Sequence, residues 1–133
     1  MGLYEIIKGF DEKALYRIAK STGNKQLLDD VKYMRLPYRR GVTVYAERID
    51  GIAFFAGYHN SDHFRLVGIG VNKELQGKGF GRFMLARAVQ YARSHGYTMI
   101  KTRTNSGVDF YQKWGCGRIV GINGNDYLME IDI

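Results

Sequence analysis

Leu66-Val67-Gly68-Ile69-Gly70-Val71-Asn72-Lys73-Glu74-Leu75-Gln76-Gly77-Lys78-Gly79-Phe80-Gly81-Arg82 is the stretch on which the reading of this chain turns. Val67, Ile69 and Val71 alternate with Gly68 and Gly70, which predicts a strand. A polar turn leads into the glycine-rich Gln76 to Gly81, and Arg82 to Arg93 holds neither Gly nor Pro and reads as a helix. Such a loop, opening onto a helix N-terminus, is a ready anion site. Its N–H groups have no intrahelical acceptor, and the helix dipole favours negative charge there. The glycines let backbone approach a diphosphate with no Cβ in the way. Lys78 and Arg82 add charge-assisted hydrogen bonds. Positive residues in a first helical turn oppose the dipole, so an anionic ligand is the cheaper explanation for them.

Two nucleotide motifs are excluded. The phosphate-binding GxxxxGK pattern requires Ser or Thr after its Lys, and Lys78 precedes Gly79. The dinucleotide fingerprint GxGxxG fails because Gly77-Lys78-Gly79 is followed by Phe80 and Gly81, one residue too early.

The spacing of Gln76, Gly79 and Gly81 matches the Q/R-x-x-G-x-G/A loop of the GNAT N-acetyltransferases, and the chain resembles that family. A second block, Asn105 to Cys116 (NSGVDFYQKWGC), is similar to the family's second signature, an Asn after the fifth strand followed by a short helix with Phe-Tyr-x-Lys-x-Gly. The two blocks carry the resemblance from Leu66 to Ile122; before Leu66 it holds only in outline.

The resemblance implies an α/β fold with a mixed, mostly antiparallel sheet flanked by about four helices, and direct transfer of an acetyl group from acetyl-CoA to an amine. It implies that the backbone at Ile69 and Val71 receives the pantetheine arm, and that Asn105 hydrogen-bonds it. The diphosphate falls to Gln76, Gly77, Lys78, Gly79, Phe80, Gly81 and Arg82, with Phe80 also anchoring the helix. Gly68 and Gly70 suit a strand that bulges and approaches a ligand. Tyr111 matches the tyrosine that protonates the departing thiolate, a group with an ordinary pKa of about 8.5.

The general base departs from the pattern. Many members carry an acid on the fourth strand, where this chain has Val67 and Gly68. Asp62, His63 and Glu47 are the substitutes nearby, and His63 has the apt ordinary pKa of about 6.5. That gap keeps a second reading open: a non-catalytic module that binds coenzyme A or nucleic acid. Cys116, the single cysteine, excludes an intrachain disulfide and a cysteine metal cluster, and reads as a small buried hydrophobe. No metal site is expected.

With 133 residues, 45% hydrophobic and 25% charged, the chain reads as one domain, 1–133. No apolar run approaches the ~20 residues of a membrane span, and the start MGLYEIIKGF lacks a basic segment followed by a long apolar core, so a cytoplasmic protein is expected. The net charge of +7 fits a polyphosphorylated cofactor and also favours acidic partners. Tyr33 to Arg40 interleaves bases with aromatics, and Tyr38, Arg39 and Arg40 are expected to meet the acceptor. The acceptor is expected to be an amine, nucleic-acid-linked or on an acidic protein.

The remaining elements follow from periodicity. Leu3 to Ile7 reads as a first strand, Asp11 caps a helix through Ala14, Leu15, Ile18 and Ala19, and Leu27, Leu28, Val31 and Met34 mark a second helix that stops before Pro37. Val42 to Ala46, Asp50-Gly51 and Ile52 to Tyr58 form a hairpin, followed by His63 to Val71. After the long helix, Tyr97 to Thr104 reads as a strand, Ser106 to Trp114 as a helix, and Gly117 to Ile122 with Tyr127 to Ile133 as a closing hairpin whose last strand could pair two copies at a sheet edge.

Overall fold

A computed structural model describes residues 4–133. The seven strands are β1 (Ile7–Lys8), β2 (Val44–Ile49), β3 (Ala53–His59), β4 (Phe64–Val71), β5 (Met99–Thr104), β6 (Arg118–Asn123) and β7 (Asp126–Asp132). The helices are α1 (Glu12–Ser21), α2 (Lys25–Tyr33), α3 (Arg35–Arg39), α4 (Phe80–Ser94) and α5 (Val108–Gly115). One sheet runs in the order β1-β2-β3-β4-β5-β7-β6, antiparallel throughout except for β4 against β5. The expected mixed, mostly antiparallel sheet flanked by helices is what forms.

Capping chemistry starts the first two helices. Asp11 Oδ1 accepts from the Ala14 amide and Asn24 Oδ1 from the Leu27 amide, each at 3.2 Å. Leu15, Ile18, Ala19, Leu27 and Val31 then pack with Ala46, Phe54 and Ala56 on one face of the sheet. On the other face, Met84, Leu85, Ala88 and Ala92 of α4 and Tyr111 of α5 pack with Phe55, Phe64, Leu66, Ile100 and Ile131. Two apolar layers thus sandwich the sheet.

A bulge decides which way β4 faces. Gly57 pairs with Leu66 but Ala56 pairs with Gly68, so Val67 is the extra residue. Before it, Phe64 and Leu66 face α4; after it, Ile69 and Val71 do, and Val67 faces α1 and α2. The pairing of β4 with β5 also stops at Leu66↔Thr102. The strand therefore changes parity and leaves its neighbour at one point.

Several expectations are corrected. The bulge falls at Val67 and the adjoining Gly68, and Gly70 lies outside it. Gly68 and Gly70 instead admit side chains: a Cβ at Gly68 would lie 2.4 Å from Leu27 Cδ1, and one at Gly70 2.4 Å from Phe54 Cε1. Helix α2 ends at Tyr33, before Pro37; Pro37 lies in the first turn of the separate short helix α3, where no intrahelical N–H is required, and Tyr38 and Arg39 follow it in that helix. Strand β7 lies between β5 and β6, so Tyr127 to Ile133 is interior and β6 forms the edge. Cys116 is exposed, at φ 52° in the C-cap of α5, and not a core residue. Of the expected first strand, Leu3 lies outside the described residues, and the strand itself is Ile7–Lys8.

Candidate active site

Where β4 and β5 part, a cleft of about 380 Å³ opens, walled by α2, the two diverging strands, the glycine loop and α5. The Asn72 amide donates to the Ile52 carbonyl at 2.7 Å. By the alternation of an antiparallel ladder, Gly70 and Gly68 also turn their polar groups toward β3, and Ile69 and Val71 turn theirs into the gap. The Val71 carbonyl there accepts from Gln76 Nε2 at 3.1 Å. This ties the glycine loop to the strand and leaves the Ile69 and Val71 amides aimed at the cleft.

The loop presents a second set of donors. Gly77 and Gly79 have φ of 79° and 90°, a left-handed conformation that glycine adopts without strain. The first amide bonded within α4 is that of Phe83, to the Gly79 carbonyl. Among the described residues, no acceptor meets the amides of Gly77 through Arg82. Beside them, the Arg82 guanidinium lies 4.3 Å over the Trp114 ring and Lys113 Nζ lies 4.8 Å from it. Phe80 is buried, as an anchor should be. Gly77, Gly79, Phe80, Arg82 and Trp114 line a second hollow of about 400 Å³ that shares Val71, Gln76, Gly81 and Phe110 with the first. Lys78 is exposed at the loop tip, outside the cleft lining.

Tyr111 lines the main cleft and is 5% exposed. Burial pushes its phenol up to about 12, against the opposing pull of the Thr102 hydroxyl. Thr102 itself donates to the Leu66 carbonyl at 2.9 Å, at the point where the strands part. The phenol therefore stays protonated across the physiological range. Asn105 is exposed and off the cleft wall, whereas Thr104 and Ser106 on either side line it.

His63 is not brought to this cleft. Its Nδ1 lies 2.6 Å from Asp62 Oδ1 and its Nε2 3.0 Å from Asn60, at the start of β4 rather than at its open end. Glu47 is also elsewhere: it is buried, paired with Arg87 at 2.7 Å, and accepts from the Tyr45 hydroxyl. The carboxylate that does face the cleft is Asp30 of α2. Burial pushes it up from 3.8 to about 6, while Arg103 pulls it down, Asp126 and Asp29 raise it and Arg65 lowers it. A second cleft, of about 450 Å³, shares Asp30, Val67 and Arg103 with the first and has Arg40 in its wall. Tyr38 and Arg39 do not line it, and Tyr38 is 68% exposed.

Residues 13–116 match the acetyltransferase (GNAT) family. The chain belongs to that family. No match was found among curated proteins. Similar solved structures include the PaiA N-acetyltransferase of Thermoplasma acidophilum in complex with coenzyme A, at 15% identity and TM-score 0.71, covering 97% of this chain and 99% of that one. The IAA acetyltransferase of Bacillus cereus is similar at 17% identity and TM-score 0.65, over 97% and 100% of the two chains. An aminoglycoside 6'-acetyltransferase of type Ii follows at 18% identity and TM-score 0.68, covering 96% of each. At these identities the likeness is one of fold. Family membership places the chain among acetyl-CoA-dependent acyltransferases in general. Among the described residues no helix is long and apolar enough to cross a membrane.

For a GNAT chain the departure that mattered was the missing acid on β4. A carboxylate, that of Asp30, lines the cleft from another element. The signal for it was present in α2: Asp30 is three residues after Leu27 and four before Met34, on the stripe that faces the sheet.

Proposed function

We propose that this protein moves an acetyl group from acetyl-CoA directly to a primary amine, with Asp30 as the general base and Tyr111 as the acid that serves the leaving thiolate. The observation that carries this reading is the chain of three hollows. The loop hollow shares Val71, Gln76, Gly81 and Phe110 with the cleft holding Tyr111, and that cleft shares Asp30 with the hollow beyond. An acyl donor and an acceptor entering from opposite ends would meet between a neutral phenol and a carboxylate poised near neutrality.

The residues present fit coenzyme A. Among the described residues the amides of Gly77 to Arg82 have no acceptor, and they suit a diphosphate, while Arg82, Lys113 and the Trp114 face suit a phosphorylated adenosine. The gap beside Ile69 and Val71 suits an extended amide-bearing arm. Bound acetyl-CoA supplies an acetyl thioester, whose C–S bond is exchanged for an amide C–N bond. Asp30 accepts the proton that the ammonium must lose before its nitrogen can attack; a carboxylate at about 6 is ionised at neutral pH yet more basic than an exposed one. The Ile69 and Val71 amides offer hydrogen bonds to a carbonyl oxygen as it gains negative charge, commonly the largest contribution in acyl transfer. Tyr111 holds the proton that a leaving thiolate takes up.

The test pairs calorimetry with acetyl-CoA against release of free thiol in the presence of amine acceptors. Binding with amine-dependent thiol release supports the reading. Binding without thiol release toward any acceptor indicates a coenzyme A-binding module. Absence of binding to acetyl-CoA overturns the assignment of the loop.

A further inference from the structure

The hollow beyond Asp30 has a composition that selects among amines. Its walls are apolar and aromatic where α2, α3 and β3 contribute Tyr33, Met34, Leu36 and Tyr58, and its charge comes from Asp30, Arg40, Arg65 and Arg103. Arg103 is matched by Asp126 at 3.1 Å, and Asp126 also accepts from Gln26 at 2.9 Å. Arg40 and Arg65 form no ion pair among the described residues. Arg65 stands on the α2 side of the sheet because it alternates with Phe64 and Leu66, which face α4. Among the described residues, Asp30 is the only carboxylate in this lining. Two unmatched guanidiniums therefore oppose a single carboxylate.

An ammonium entering alone would meet net repulsion here. An ammonium tethered to an anion would place each charge beside its complement, and guanidinium groups are the side chains best shaped to hold a carboxylate or phosphate in two parallel hydrogen bonds. The apolar walls would take whatever carbon skeleton joins the two. We infer that the acceptor is a small primary amine bearing a carboxylate or a phosphate on an apolar or aromatic body, its amine toward Asp30 and its anion toward Arg65 and Arg40. Polyamines and other polycations are excluded by the same charge balance. The inference rests on the acetyl-transfer reading for its orientation, because Asp30 marks the end of the hollow where the amine must sit.

The test uses matched amines. Initial rates of thiol release from acetyl-CoA are measured with phenylalanine against 2-phenylethylamine, O-phosphotyramine against tyramine, and spermidine. At least one anionic amine is expected to exceed its uncharged-tail parent in kcat/KM by tenfold or more, and the pair that shows the margin tells carboxylate from phosphate. In the double variant Arg40→Gln/Arg65→Gln, checked by calorimetry for native acetyl-CoA binding, that margin is expected to shrink to less than threefold. Preference by the native protein for the parents or for spermidine overturns the inference without any variant, as does a margin that survives the double substitution. Should no amine be turned over, the same compounds are titrated into the CoA-saturated protein. Arginine-dependent binding of the anionic members would then uphold the hollow's specificity while refuting acetyl transfer, and equal or absent binding would refute the specificity.

Discussion

Replacing Asp30 with Asn separates catalysis from stability, because the two should move in opposite directions. Burial holds the Asp30 carboxyl at about 6 instead of 3.8. In the native enzyme log kcat/KM should therefore rise with pH through an apparent pKa near 6, and at pH 5 about one Asp30 in eleven is ionised, so activity should stand about tenfold below its plateau. An ordinary carboxylate would place that limb below pH 5. The Asn variant should lose the limb and drop at the plateau by about 10² to 10⁴-fold, the usual worth of a positioned base. Stability carries the reverse sign. A carboxyl raised in the folded state favours folding when protonated: that advantage is full below the ordinary value of 3.8 and is lost as pH rises through about 6. The ionised group then costs about 3 kcal/mol at face value, and about 1–1.5 kcal/mol once its partial exposure to solvent is allowed for. Asn avoids that cost, so at pH 8 the variant should melt about 3–6 °C above the native protein, and the difference should vanish near pH 4. Thiol-release kinetics from pH 5 to 9, with calorimetric melting at pH 4 and pH 8, reads both. A variant whose plateau lies within twofold of native, or which keeps the limb near 6, refutes Asp30 as the base.

Four further substitutions test the rest of the site and its support. Tyr111→Phe should lower kcat by roughly 10²-fold with acetyl-CoA affinity unchanged by calorimetry, and the native enzyme should show no falling limb from this phenol below about pH 11, since it is held up at about 12. Gly79→Asp should abolish acetyl-CoA binding, because it sets a carboxylate among the unpaired amides and forces a side chain into a φ of 90°. Gly57→Ala should destabilise by about 2–3 kcal/mol or more, read as a fall in urea midpoint, because the new Cβ would lie 2.3 Å from the Arg65 carbonyl oxygen and 2.5 Å from the Phe64 ring. Glu47→Ala should cost about 2–3 kcal/mol on the same measure, since it removes the partner of Arg87 from a 3% exposed position, yet it should leave acetyl-CoA affinity and kcat within twofold.

Much of the architecture was legible because strand and helix leave different periods. The alternation in Val67 to Val71, the uninterrupted Arg82 to Arg93 and the Asp50-Gly51 turn each correspond to an element of the fold. The glycine loop was legible because a run of φ-permissive residues before a helix has few other uses. What escaped the sequence was mostly a matter of side-chain direction. Gly68 and Gly70 read as room for a ligand, and the space they leave is taken by Leu27 and Phe54. His63 is close to the motif in sequence, yet it sits at the opposite end of an eight-residue strand from the cleft. Asp30 is distant in sequence and close in space. The sequence reading of α2 rested on Leu27, Leu28, Val31 and Met34 and passed Asp30 over, and only the packing of α2 on β4 shows that its stripe passes the open gap. Cys116 could not be foreseen as exposed, because its position follows from a left-handed helix end rather than from its hydrophobicity.

The extra residue at Val67 can be lost without changing what lies on either side of it. Leu66 pairs with Gly57 and Gly68 with Ala56, so a strand lacking Val67 would keep both pairings and alternate regularly, with Leu66, Ile69 and Val71 still toward α4 and Gly68 and Gly70 still against Leu27 and Phe54. Removing one residue beyond the bulge, Ile69 for example, has the opposite effect: each residue after it changes face, and Val71 turns its side chain toward Leu27 and its amide onto β3. The bulge is thus a point at which this strand can change length without exchanging its inside for its outside.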